Sequence, residues 1–259
     1  MKKIKKFLIN KRKKRPFFSI ITVVKNGELQ ITKTIKSILS QTLKDFEYLI
    51  IDGNSSDKTI QKILKFKRKI NFLLSENDQG IYYAMNKGIN FSRGKIILFV
   101  NCNDTLKPNA LRYVKEVFDT DQKISFVFGT VKRHYLKSSI LKYGYNINRL
   151  LYNFDFATAH STGFFLKKKV IDVVGKFNTK FKCSADYDLY YRVLIKKNYK
   201  GSSTKKNQIV GEVSSGGFSS RISFFEHLKE EMKIRIHNNQ NFFLVFLIFL
   251  NSIFKQLIK

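Results

Sequence analysis

The chain has no tryptophan, two prolines and two cysteines among its 259 residues. Cys102 and Cys183 lie far apart, without Cys or His neighbours at metal-ligand spacing. That excludes a disulfide framework and a structural zinc site, and it fits a reducing compartment. Acidic residues are also scarce: 19 Asp and Glu stand against 49 Lys and Arg, a formal net charge of +30. Neither a GxGxxG after the first expected strand nor a GxxxxGK[ST] loop occurs, which disfavours a dinucleotide-binding site and a P-loop nucleotide hydrolase. No apolar run reaches the 18 or so residues of a comfortable membrane span.

What is present is a substantial hydrophobic fraction, 43%, with aromatics at 14% carried by Phe and Tyr. That suffices for one sizeable core and argues against global disorder. The lysines are spread through nearly every segment. A nucleic-acid-binding protein would gather basic and aromatic residues on one strand face or helix, so the diffuse charge weighs against nucleic acid as a partner. The ends differ from the middle. Residues 1–16 form a basic segment whose apolar piece, Phe7 to Ile9, is too short for a signal-peptide core. The tail carries an apolar run from Phe242 to Leu250 that resumes at Ile253, with Lys255 and Lys259 beyond. It reads as a helix lying in a membrane interface rather than crossing it, the alternative being a core helix or an oligomer contact.

Between the ends, strands and helices alternate. Phe17–Val24, Phe46–Ile51, Phe72–Leu74, Gly94–Val100 and Ile124–Phe128 are short apolar runs of the buried parallel type. Between them, helices are expected over Ile31–Ser40, around Ile60–Leu64, over Gly80–Phe91, and from Pro108, which would open a helix at a first-turn position. This spacing predicts an α/β fold on a mainly parallel sheet flanked by helices. After residue 130 the pattern loosens, with short strands around Thr130–Leu136, Thr162–Leu166 and Gln208–Val213. A helix is expected over Asp186–Lys197, followed by a Gly-rich stretch, Val213–Ser220, and a charged C-terminal helix.

Open α/β sheets bind ligands at the carboxyl ends of their strands. There the scarce acids gather: Asp52 and Asp57 after the second strand, Glu76 and Asp78 after the third, Asp104 after the fourth. In so basic a chain this cluster suits a divalent cation or ligand hydroxyls and amides, although Asp and Asn are also ordinary turn formers.

Phe18–Thr59, Ser75–Leu106 with its GIYYAMNKG, His160–Phe165, and Val174–Arg192 with its ADYDL together resemble family 2 glycosyltransferases of the GT-A fold. The likeness is to the bacterial branch that builds surface polysaccharides such as lipopolysaccharide, O-antigen or capsule. It implies a GT-A domain over residues 17–220 and a C-terminal helical, apolar extension over 221–259. It also implies an inverting transfer from a nucleotide-sugar, a UDP-sugar first of all, to an acceptor hydroxyl on a lipid-linked saccharide. The place of work would be the cytoplasmic face of the inner membrane, with the protein peripherally attached.

By the same resemblance, Asp52 would hydrogen-bond the nucleotide base, and Val24 and Asn26 would wall its pocket. Asp78 would add a base or ribose contact. Asp104 would be the direct ligand of Mg²⁺ or Mn²⁺, and Asn103, where the family usually has an acid, would reach ribose or donor sugar. His160 would touch the diphosphate or the acceptor. Asp186 would be the catalytic base, held as an anion at a helix start while burial raises its basicity, with Asp188 as the neighbouring alternative. Val213–Ser220, with Gly216 and Gly217, would serve as a lid. The absence of tryptophan removes the Gln-x-x-Arg-Trp motif of processive synthases, pointing to single additions. Asn103 and Tyr83, the latter where this branch often carries Asp, also open a second reading: an inactive relative acting as an assembly partner.

Overall fold

The computed structural model describes residues 15–152, 160–214 and 222–258, and residues 5–8 through their backbone alone. The expected lid, Val213–Ser220, therefore lies largely outside the described residues, as does most of the basic N-terminal segment.

The chain runs β1 (Lys5–Leu8), β2 (Phe18–Val24), α1 (Ile31–Leu39), β3 (Phe46–Asp52), α2 (Thr59–Leu64), β4 (Phe72–Ser75), α3 (Ile81–Phe91) and β5 (Ile96–Phe99). It continues through β6 (Thr105–Leu106), α4 (Ala110–Thr120), β7 (Phe126–Phe128), β8 (Thr130–His134), β9 (Ser139–Lys142) and α5 (Ile147–Tyr152). Then come β10 (Phe164–Lys167), α6 (Lys168–Val174), α7 (Ala185–Tyr191), β11 (Gly201–Ser203), β12 (Ile209–Val213), α8 (Phe224–His237) and α9 (Phe242–Leu257).

The main sheet has eight strands in the order β1-β4-β3-β2-β5-β10-β7-β11. Its centre, β4-β3-β2-β5, is parallel, as the buried apolar runs predict. The sheet is mixed because β10 inserts antiparallel between β5 and β7, and β1 closes the far edge antiparallel to β4. A second sheet, β6-β12-β8-β9, stands beside it.

Strand alternation splits the core into two layers. Ile21 and Val23 of β2 join Leu49 and Ile51 of β3 on the face covered by α3 and α7. Ile20 and Val24 join Tyr48 and Ile50 on the face covered by α1 and α4. Helix α1 supplies a continuous stripe there, with Ile31, Ile35 and Ile38 all fully buried. Pro108 stands just before α4 rather than inside it. Its carbonyl accepts from the Thr42 N–H at 2.9 Å, tying the ends of α1 and β6 together.

The expected helix over Asp186–Lys197 is α7 followed by a π-helical turn, Arg192–Lys196. In the tail, α9 buries Val245 and Ile248 while Phe242, Phe243, Phe254 and Leu257 remain more than half exposed. No helix among the described residues is long and apolar enough to cross a membrane.

Candidate active site

The parallel register brings Val24, Asp52 and Ser75 side by side at the carboxyl ends of β2, β3 and β4. Asp52 is fully buried. Its Oδ2 accepts from Ser75 Oγ at 2.7 Å and the Ser55 N–H at 3.0 Å, and its Oδ1 from Ser55 Oγ at 2.5 Å. A carboxylate has about four lone-pair directions, so three donors leave capacity for a further N–H.

The neighbouring loops are stapled together. Asn26, at φ 52°, donates its N–H to Ser55 Oγ at 2.8 Å and accepts the Ser56 N–H at 2.9 Å on Oδ1. Asp57 accepts the N–H groups of Glu28 and Thr59, and these bonds outweigh burial to hold its pKa below the ordinary value. Asp57 is thus a loop pin. Asn26 ties the loop after β2 to the Ser55–Ser56 turn through its backbone and amide.

Lys87, on α3, pairs with Glu76 and with Asp78, the latter at 2.6 Å. The acids at the strand ends therefore do not form one cation cage: two share this single lysine and one pins a loop. Among the described residues no three acidic, His or Cys side chains are grouped for a metal. Asp78 nonetheless keeps a pKa above the ordinary carboxylate value, because burial outweighs the attraction of Lys87, with Glu76 and Asp52 adding repulsion. Its Oδ2 has no hydrogen-bond partner among the described residues.

After β5 the chain turns through Asn103 at φ 91°, a left-handed conformation that asparagine tolerates better than most residues. Thr34 of α1 fixes this turn: its hydroxyl accepts the Asn103 N–H at 3.1 Å and donates to the Asp104 carbonyl at 2.9 Å. Asp104 is 4% exposed. Its Oδ2 accepts from Thr162 Oγ1 at 2.8 Å, and its Oδ1 from the Ser214 N–H at 3.3 Å. Burial raises its pKa, opposed by His160, by these two bonds and by Arg133.

His160 Nδ1 lies 3.6 Å from Asp104 Oδ2 and accepts the Thr162 N–H at 3.3 Å. Asn101 donates to Ser161 Oγ at 2.9 Å, while its own Oδ1 is buried without a partner among the described residues.

A buried carboxylate still short of compensating charge, in a loop that also holds an orphaned amide oxygen, fits a hard divalent cation. Mg²⁺ and Mn²⁺ take oxygen ligands and commonly complete their shell with phosphate and water. Asp104 is the residue that would hold it. Asn103, an amide where a second carboxylate would add charge, makes that hold weaker.

Asp186 sits in the first turn of α7 with Oδ1 accepting from Tyr82 Oη at 3.1 Å and from the Tyr187 N–H at 2.9 Å. Burial raises its pKa against those two bonds and the nearby His160. Asp188, the sequence alternative, is a structural residue. It accepts from Arg192 Nε at 2.9 Å and from Asn238 Nδ2 at 2.9 Å, and is 1% exposed.

The segment His160–Thr162 thus lies between the two candidate carboxylates, Asp104 and Asp186. Thr162 bonds Asp104, and His160 bears electrostatically on both Asp104 and Asp186. Sequence reasoning missed Thr162, Ser214 and Tyr82. The first stood beside His160 in the quoted motif, and the last lay in GIYYAMNKG, where it read only as a helix residue. Both cysteines are free, and burial beside Asp104 pushes the Cys102 thiol up to about 12.

The chain is similar to several known glycosyltransferases. A "PGL/p-HBAD biosynthesis glycosyltransferase" of Mycobacterium tuberculosis is 27% identical over 183 residues, spanning 68% of this chain and 69% of the relative. An uncharacterized glycosyltransferase of Methanocaldococcus jannaschii is 26% identical over 194 residues, 70% of this chain and 65% of its own. Among solved structures, S. aureus TarS 1-349 in complex with UDP-GlcNAc superposes with a TM-score of 0.69 at 18% identity, covering 92% of this chain and 72% of that one. The mannosyltransferase PcManGT of Pyrobaculum calidifontis, in complex with GDP-Man and Mn²⁺, gives 0.67 at 15% identity, covering 92% and 69%. At such identity these two structures establish the shared fold. The family model "Glycosyl transferase family 2" matches residues 19–189, most of the main sheet and all the carboxylates described above, and the chain belongs to that family.

Proposed function

We propose that this chain is an inverting glycosyltransferase that moves a sugar from a UDP-sugar to a hydroxyl of a lipid-linked saccharide in cell-surface polysaccharide synthesis. The observation that carries the reading is the pair Asp104 and Asp186. Asp104 is buried and Asp186 half-buried, both have pKa values raised chiefly by desolvation, and one short segment, His160–Thr162, bonds the first and bears electrostatically on the second.

Asp52 suits a uracil base, because a carboxylate accepts from the imide N–H, whereas cytosine presents an unprotonated ring nitrogen at that position. Val24 and Asn26 border that pocket, and Asp78 offers its unpartnered Oδ2 to a base or ribose donor. Asn103 can hydrogen-bond ribose or the donor sugar. Mg²⁺ or Mn²⁺ at Asp104 would supply positive charge to the diphosphate leaving group. His160, when protonated, adds to the same charge balance.

Asp186 accepts the proton of the attacking hydroxyl. Its raised pKa makes it a better base than a surface aspartate, and the Tyr82 hydroxyl fixes its orientation. Attack from the side opposite the leaving group inverts the anomeric carbon.

A lipid-linked acceptor and a place at the cytoplasmic face of the inner membrane rest on α9. Its exposed Phe and Leu residues, in a chain of net charge +30, suit an anionic lipid surface. Residues 17–220 would form the transferase unit and 221–259 the extension that meets the membrane. A nucleic-acid partner is disfavoured by the acidic strand edge.

Asp186→Asn tests the assignment. It should bind UDP as the wild type does and transfer sugar at least about a hundredfold more slowly, the usual contribution of a general base. An Asp186→Asn protein that transfers at the wild-type rate would remove the base from this site.

A further inference from the structure

Helix α8 is strongly charged, and charge on a helix ordinarily marks a solvated face. Here one of its acids is turned inward. Glu230 Oε1 accepts the Lys182 N–H at 2.6 Å. Oε2 accepts the N–H groups of Cys183 and Ser184, each at 2.7 Å, and the Cys183 thiol at 2.9 Å. Three consecutive backbone donors converging on one carboxylate make an anion nest of charge-assisted bonds.

Ser184 is also the N-cap position of α7, two residues before Asp186, and its Oγ lies 3.3 Å from His227 Nδ1 of α8. On the other side of the same peptide unit, the Cys183 carbonyl accepts from Tyr82 Oη at 3.0 Å, the hydroxyl that also reaches Asp186. Further along, Asn238 holds Asp188, and the buried Arg235 lies over the Tyr187 ring.

We propose that Glu230 is a positioning residue for the transfer reaction: it anchors the Lys182–Ser184 backbone and thereby sets where the Asp186 carboxylate stands against Tyr82. The proposal rests on the reading of Asp186 as the base. It also makes α8 part of the catalytic apparatus as well as a support for α9. Glu230 does not touch the site itself. Its effect passes through one peptide segment, pinned by α8 on its N–H side and by α3 on its carbonyl side. The groups facing Asp186 are Tyr82 from α3, His160, the Cys183 thiol, and Tyr187 and Tyr190 from α7; loosening the segment changes the exposure of Asp186 to all of them at once.

The test uses the full chain with ¹³C-labelled aspartate carboxyls, the Asp186 signal being assigned by its loss in Asp186→Asn. In Glu230→Ala, UDP affinity should stay within twofold of wild type. The Asp186 midpoint should fall toward the ordinary aspartate value of about 3.9. Transfer from a UDP-sugar should drop about tenfold or more in kcat, with donor KM little changed. Glu230→Gln keeps one oxygen for the Cys183 and Ser184 N–H groups but turns its NH₂ toward the Lys182 N–H, and should fall between wild type and Glu230→Ala in both midpoint and turnover. If Glu230→Ala does not fold, Glu230→Asp, too short to reach all three donors, takes its place.

A folded Glu230→Ala or Glu230→Asp with the wild-type Asp186 midpoint would overturn the proposal. The midpoint responds whether or not the protein transfers sugar. Failure of the base assignment shows separately, as an Asp186→Asn protein of undiminished activity.

Discussion

The Tyr82 hydroxyl lies 3.1 Å from Asp186 Oδ1 and 3.0 Å from the Cys183 carbonyl, so one phenolic proton is divided between the proposed base and the backbone that carries it. The bond to Asp186 favours the anion and works against the burial that raises its pKa. Removing it in Tyr82→Phe should raise that pKa further. A base works only when deprotonated, so the acid limb of the kcat/KM profile should move to higher pH by about one unit, with the high-pH plateau reduced less than tenfold. An acid limb that stays in place would show that Tyr82 does not tune the base.

Charging Asp186 in the folded protein costs stability. Its folded pKa is raised, so its favourable contribution is complete below the unfolded aspartate value, about 3.9, and is lost as pH rises through the folded value. Asp186→Asn removes the charge and keeps an oxygen for the Tyr187 N–H. At pH 7 its melting temperature should exceed the wild type by about 2–4 °C for each kcal/mol relieved, and the gap should close below pH 4. Paired thermal melts at pH 4 and pH 7 check this; a gap that widens toward low pH would reverse the assignment of burial as the dominant cause.

Asp52→Asn should leave the fold intact, since Ser55 and Ser75 can still donate to the amide oxygen. It turns one acceptor into a donor at the pocket, so affinity for UDP should fall by about tenfold or more, the loss expected for a hydrogen bond to a charged group. Calorimetry with UDP against GDP reads this directly. An unchanged preference between the two nucleotides would place the base elsewhere.

The base of the sheet offers a prediction on stability alone. A Cβ at Gly94 would meet the Ser19 nitrogen at 2.5 Å and the Phe18 carbonyl carbon at 2.6 Å, both backbone atoms of the central strand β2. The same turn is bound by Glu47, which accepts from Ser19 Oγ at 2.6 Å and the Gly94 N–H at 3.2 Å. Neither neighbour is the end of a flexible side chain, so Gly94→Ala should cost about 1–3 kcal/mol, read as an earlier denaturant midpoint.

Much of this was legible in the sequence where the signal is local. The buried runs of β2 and β3 and the Ile31, Ile35, Ile38 stripe of α1 appear where apolar periodicity puts them, because burial on both sheet faces demands such runs. Asp52 and Asp104 stand at strand ends, as the positions of those strands required. Non-local facts were not legible. Nothing in Phe164–Lys167 announces that β10 will slip antiparallel between β5 and β7, and the short apolar piece near the N-terminus gave no sign of β1. Asp57, Glu76 and Asp78 resembled one acidic cluster because a sequence does not show that Lys87, a full turn along α3, folds back onto two of them. Glu230 was hidden for the same reason: its partners are backbone N–H groups nearly fifty residues earlier in the chain.

The central claim, a nucleoside diphosphate-sugar site with its cation at Asp104, is tested most directly by calorimetric titration of the full chain with UDP. The titration is run in Mn²⁺ and in chelator, for the wild type and for Asp104→Asn, which keeps an oxygen for the Thr162 hydroxyl. The account predicts binding by the wild type that strengthens at least tenfold with Mn²⁺, and an Asp104→Asn protein that binds with no response to the metal. Wild-type protein that binds no UDP in either condition, or Asp104→Asn that keeps the full response to Mn²⁺, would contradict it.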